Sequence, residues 1–186
     1  MQRRVPVAIA ALCLMAVAAC GGVGKQQTAD GPPTTPIVSE ESDCMSAPDT
    51  TLGAAGAYVH VTGALGSAPT ITAVCDAPMP MQLVVHDISV GTGKKVAADG
   101  VVTAHYVGYG MTTRSVFDSS WTNAKPLQFS LAGVIVGWSQ GLPGMKEGGR
   151  RVLVIPGAYA YGEMPPTDAI KPNETLVFVV DLVSTP

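Results

Sequence analysis

From Leu83 onward the apolar side chains fall mostly in short runs, not in a helical stripe. Leu83-Val84-Val85 predicts a strand, which Ile88 to Val90 extends past a kink, and Gly91-Thr92-Gly93 marks a turn. Alternation through Val101 to Val107 sets Val101, Thr103, His105 and Val107 on one face. Val102, Ala104 and Tyr106 take the other. Arg151 to Ile155 is a further β-rich run, stopped by Pro156, and Leu176 to Val183 reads LVFVVDLV. A helical period shows between Ile135 or Gly137 and Leu142, where Trp138 and Leu142 share a face before Pro143-Gly144. Many strands and one short helix predict an α+β fold centred on an antiparallel sheet. So much Val cannot face water on both sides, so the helix is expected to cover one face.

The residues ahead of this region follow other patterns. Arg3 and Arg4 precede the almost wholly apolar Val5 to Ala19, the layout of a secretory signal. The run is short of the roughly 20 residues of a permanent span. Val17-Ala18-Ala19-Cys20 resembles a bacterial lipobox, which implies a signal peptide over 1–19 and lipid on Cys20. Residues 20–43, with Gly21, Gly22, Gly24, Gly31, Pro32, Pro33 and Pro36, read as a tether. The expected location is the cell membrane, lipid-anchored and facing away from the cytoplasm. Residues 44–81 form an extension with two β-like runs, Tyr58 to Gly63 and Thr70 to Val74. Cys44 and Cys75 are an even pair, and export to an oxidising compartment would join them as a disulfide. Two free thiols, or one thiol paired with another chain, stay open on the sequence.

Composition narrows the chemistry. The chain has 186 residues, 13% of them charged, with a formal charge of -3. It has no basic excess to grip a phosphate backbone, which argues against nucleic acid as a partner. The four Cys include no CxxC and the three His are scattered, so no metal site is expected. HExxH, the Walker loop and a dinucleotide fingerprint are all missing. Glu147 and Glu163 form no evident acid–base pair, and His105 within an alternating strand reads as structural. An enzyme of this composition works without a covalent nucleophile, metal or cofactor, and nothing in the pattern demands more than a monomer.

Four clusters occur in order: Ala104-His105-Tyr106-Val107-Gly108, Val116-Phe117-Asp118-Ser119-Ser120, Val134-Ile135-Val136-Gly137-Trp138 and Ala158-Tyr159-Ala160-Tyr161-Gly162. Leu176-Val177-Phe178 follows. Any one is weak, but together, at these separations, they resemble the FKBP-type peptidyl-prolyl cis-trans isomerases, over about residues 82–184. The resemblance implies an isomerase domain over 82–186, with a five- or six-stranded antiparallel sheet wrapped around one short helix and a ligand pocket between them.

Carried over residue by residue, it implies that Tyr106, Phe117 and Asp118 line one side of the pocket and that Trp138 forms its floor. It further implies that Val134 and Ile135 lie ahead of the helix, the Ile135 N–H holding a ligand carbonyl. The Tyr161 hydroxyl would contact another carbonyl, with Asp118 either meeting the twisting carbonyl or fixing Tyr161. Ile170 and Phe178 would be apolar walls, and Leu127 would take a wall position that is usually Phe. Three departures stand out. Asn123 occupies a position where many members pair the Asp with Arg. The loop at Ala132-Gly133 is two residues shorter. Pro166 replaces a frequent His.

The implied activity is rotation about X–Pro bonds in proline-containing peptides or unfolded exported proteins, with macrolides of the FK506 type as further ligands. The X–Pro barrier is about 18–20 kcal/mol, set by partial double-bond character. An apolar enclosure would favour the twisted, less polar amide over the planar one, with no proton transfer. The alternative is a proline-segment binding module or holding chaperone with little turnover.

Overall fold

The computed structural model describes residues 43–186. The expected signal peptide, Cys20 and the tether up to residue 42 lie outside the described residues. The elements are β1 (Cys44–Met45), β2 (Val59–Thr62), β3 (Thr70–Val74), β4 (Val84–Ser89), β5 (Val101–Gly110), β6 (Ser115–Ser119), β7 (Leu127–Ser130), α1 (Val136–Gly141), β8 (Arg150–Ile155) and β9 (Leu176–Ser184). Six strands form the main sheet in the order β4-β8-β9-β5-β6, with β7 also paired to β5. Every pairing in it is antiparallel. The expected α+β fold, an antiparallel sheet with one short helix, is the observed one.

The sheet sorts its side chains by alternation. One face contributes Val102, Ala104, Tyr106, Leu153, Ile155, Phe178 and Val180 to a core shared with Trp138 and Leu142 of the α1 region. Gly137 lets the helix settle there, because a Cβ at that position would collide with the Ile155 side chain. Arg151 fixes the layer laterally. Its guanidinium binds both carboxylate oxygens of Asp87 on β4, at 2.7 and 2.9 Å, and donates to the Gly141 carbonyl at 2.7 Å.

The opposite face carries Val107, Tyr109, Val152, Val154, Val177 and Val179. The 44–75 segment covers it with Leu52, Ala55, Val59, Ile71 and Ala73. This explains why β9 opens with an unbroken apolar run, Leu176 to Val180: both of its faces are buried there. The covering segment is a three-stranded sheet, β1-β3-β2, in which β1 runs parallel to β3. A disulfide joins Cys44 to Cys75, Cα to Cα 5.1 Å. A second attachment is buried. Arg150 pairs with Asp181 and also donates to the carbonyls of Gly63 at 2.8 Å and Ser67 at 2.6 Å, in the β2–β3 turn.

Candidate active site

On the helix side the sheet leaves a cavity of about 310 Å³. Four elements supply its aromatic lining: Tyr106 from β5, Phe117 from β6, Phe129 from β7 and Phe178 from β9, around Trp138 of α1. Trp138 is buried, 4% exposed, and meets three rings edge-on. Its centroid lies 5.6 Å from Tyr106, 5.0 Å from Phe129 and 5.4 Å from Phe178, at interplanar angles of 86°, 69° and 87°. Such edge-to-face packing holds a large ring rigidly. Val134, Ile135 and Gly133 close the helix side, where the Ile135 carbonyl accepts from the Trp138 and Ser139 N–H groups and so starts α1.

A β-bulge brings Phe117 and Asp118 to the same cavity. Gly108 pairs with Asp118 and Tyr109 with Val116, which leaves Phe117 as the extra residue of β6. In a regular strand these neighbours would point to opposite faces, whereas a bulge re-aims them. Gly108 makes room beneath. A Cβ there would stand 2.6 Å from Phe117 Cζ and 3.0 Å from Phe178 Cε1, so any side chain would push both walls inward.

The polar groups are few. The Tyr106 hydroxyl donates to Asp118 Oδ2 at 2.5 Å. Burial, then that hydrogen bond and the Asp118 charge, push the Tyr106 phenol well above its ordinary value. Burial and the Asp118 charge also raise Tyr161, which stands at the cavity edge, 36% exposed. Both phenols therefore remain protonated donors at neutral pH.

Of the ten residues expected at the site, eight line this cavity: Tyr106, Phe117, Asp118, Val134, Ile135, Trp138, Tyr161 and Phe178. Two do not. Leu127 is 45% exposed, and Phe129, two residues on along β7, supplies the wall instead. Pairing of β7 with β5 places Phe129 opposite Val102 and Leu127 opposite Ala104, and only Phe129 turns its ring onto Tyr106 and Trp138. Ile170 is buried in the core behind the cavity, 4% exposed. The tyrosine that Asp118 fixes is Tyr106, not Tyr161, because they lie on adjacent paired strands. His105 is structural: its ring stacks on Trp121 at 3.9 Å, and its Nδ1 lies 3.0 Å from Ser120 Oγ.

Residues 92–183 match the model of the family described as FKBP-type peptidyl-prolyl cis-trans isomerase. A probable FK506-binding protein of Corynebacterium glutamicum is 48% identical over 107 residues, 58% of this chain and 90% of the relative. The chain belongs to the FKBP-type peptidyl-prolyl cis-trans isomerases. An FK506-binding protein of Streptomyces anulatus is 47% identical to this isomerase over 108 residues, 56% of the chain and 87% of the relative. Among solved structures, a peptidyl-prolyl cis-trans isomerase from Pseudomonas syringae gives a TM-score of 0.51 at 36% identity, covering 55% of this isomerase and 74% of that chain. FkpA from Escherichia coli gives 0.50 at 40% identity, covering 55% and 47%.

The isomerase thus catalyses rotation about peptidyl-prolyl bonds. The residue missed from sequence, Phe129, was within reach of a simple signal. Leu127-Gln128-Phe129 alternates, so Phe129 shares the face of Leu127 on β7.

Proposed function

We propose that this isomerase acts on X–Pro bonds of exported proteins by holding the twisted amide in a dry aromatic enclosure. The observation that carries the reading is the cavity itself, where five rings from five elements, with Tyr161 as a sixth at the edge, surround a concave space instead of packing it shut. Core packing alone would close that space, whereas a ligand site keeps a cleft with a few convergent polar groups. Tyr106, Phe117, Phe129 and Phe178 exclude water from the proline ring over Trp138. As the bond rotates, the nitrogen lone pair decouples from the carbonyl and charge separation falls, so the apolar walls favour the twisted amide over the planar one. The Ile135 N–H and the Tyr161 hydroxyl hold peptide carbonyls on either side of the rotating bond. Asp118 holds the Tyr106 ring in place as part of the wall. FK506-type macrolides are ligands of the same cavity, in keeping with the similarity to FK506-binding proteins of Corynebacterium and Streptomyces.

Export is supported by the Cys44–Cys75 disulfide, since structural disulfides persist in oxidising compartments. The Arg3-Arg4 head and Val17-Ala18-Ala19-Cys20 point the same way, with lipid on Cys20 as membrane anchor. Two or more acyl chains hold such an anchor firmly. The working molecule is a monomer that begins at Cys20 once the signal peptide 1–19 is removed, with domain limits 20–43, 44–81 and 82–186.

The test is proline-limited refolding of a disulfide-bonded secreted protein, with wild type and Trp138→Ala. Wild type should accelerate the slow phase, and the variant should lose most of that acceleration while keeping its far-UV spectrum. Full activity in Trp138→Ala would refute this assignment of the site. Mass spectrometry of the native N-terminus checks the anchor, and an unmodified Met1 would exclude it.

A further inference from the structure

The floor of the cavity is apolar, but its rim is not electrically neutral. Asp118 stands on a wall shared with a second concavity of about 350 Å³, whose other lining residues are Val116, Phe117, Ser119, Thr122 and Asn123. The two spaces meet at Phe117 and Asp118. None of the side chains lining either space is basic. Among the described residues the ion pairs join His60 to Asp49, Arg150 to Asp181 and Arg151 to Asp87, and none involves Asp118. The Tyr106 hydroxyl orients the carboxylate but brings no positive charge. Lys125, close in sequence, is exposed and lines neither space.

We infer that the second concavity is a flanking subsite for a cationic side chain, Lys or Arg, close to the proline of the client. This rests on the proposed function of the aromatic cavity. A peptide whose proline lies over Trp138 advances about 3.3 Å per residue when extended, so a residue one to three places away reaches the shared wall. Lys and Arg carry only donors there, and Asp118, the Asn123 side-chain carbonyl and the Thr122 and Ser119 hydroxyls are acceptors. A Glu or Asp at the same place would face a carboxylate that no neighbouring cation offsets. Asp118 thus serves two surfaces, ordering the wall through Tyr106 and setting the charge preference of the adjoining groove.

The test uses the whole chain and a series of X–Pro peptides in which Lys, Ala or Glu occupies each of the two positions on either side of the X–Pro pair. At low ionic strength, kcat/KM for the Lys peptide should exceed that for the Glu peptide by about 3- to 10-fold at one or more positions, the size expected of a partly screened charge pair. The ratio should shrink toward unity in high salt. Asn123→Arg should bring the ratio to unity or below, and Asp118→Asn should reduce it. Each ratio is internal to one variant, so a general loss of activity leaves it readable. Equal rates for Lys and Glu peptides at low salt, with good turnover of the Ala peptide, would overturn the inference and leave the isomerase reading intact. Absence of turnover on every peptide would instead overturn the reading beneath it.

Discussion

Arg150 and Asp181 face each other from paired positions on β8 and β9, both carboxylate oxygens engaged by the guanidinium. Their side chains are almost wholly buried, 2% and 8% exposed. The same carboxylate accepts from the Gly66 N–H at 3.0 Å, so one ion pair serves both the central sheet and the turn that covers it. A buried pair is a poor source of net stability, but losing one member strands the other charge.

Asp181→Ala should therefore destabilise the protein by roughly 3–5 kcal/mol. Urea unfolding checks this, and a change of less than about 1 kcal/mol would mean that water reaches the guanidinium.

Removing the disulfide tests the cover separately. Cys44 and Cys75 are 31 positions apart, and Cys44→Ser with Cys75→Ser should cost about 2–4 kcal/mol. The cavity lies on the other face of the sheet, so turnover of a short prolyl peptide, assayed well below the unfolding temperature, should stay near the wild-type rate. A parallel collapse of activity and stability would contradict the separation of the two faces.

Phe129→Ala and Leu127→Ala distinguish two neighbours on one strand. Phe129 contacts Tyr106 and Trp138, and truncating it should cost about 3–5 kcal/mol and weaken prolyl-ligand affinity markedly. Leu127 is 45% exposed, and its truncation should change stability by under about 1 kcal/mol with little effect on affinity. Isothermal titration with a prolyl ligand, beside urea curves, gives both readouts.

Alkaline pH should weaken the fold in a defined window. Burial is the first cause of raised phenol values at Tyr106, Tyr109 and Tyr161. The unfolded chain releases these protons near pH 10. Raised folded-state values mean a contribution that is whole below about pH 10 and is lost as pH rises through the folded values. The urea midpoint should stay level from about pH 7 to pH 9 on this account and fall above about pH 10. Tyr106→Phe should flatten part of that fall.

Much of this architecture was legible before any coordinates. Val101 to Val107 alternates cleanly: Val102, Ala104 and Tyr106 enter the helix-side core, whereas of the other face only Val107 enters the second core and Val101, Thr103 and His105 stay half-buried. Trp138 was marked by an expensive ring on a short helix. The strands β6 and β7 left no comparable mark: β6 is interrupted by the Phe117 bulge, and β7 is a four-residue, largely exposed edge. Bulges and registers depend on pairing between distant segments, which a one-dimensional pattern does not carry. The partner of Asp118 stays open on the sequence for that reason, since only the β5–β6 register makes Tyr106 its neighbour.

The valine row on the far side of the sheet sets the smallest piece of this chain able to live alone in water. The stretch 92–183 that matches the family contains every residue lining the catalytic pocket but also Val107, Val152, Val154, Val177 and Val179, all sealed by residues before 76. Cut free, that stretch would present a broad greasy plate, and contiguous apolar patches of this kind drive self-association. A shortened enzyme lacking the N-terminal segment should need polar replacements along the valine row to stay dispersed.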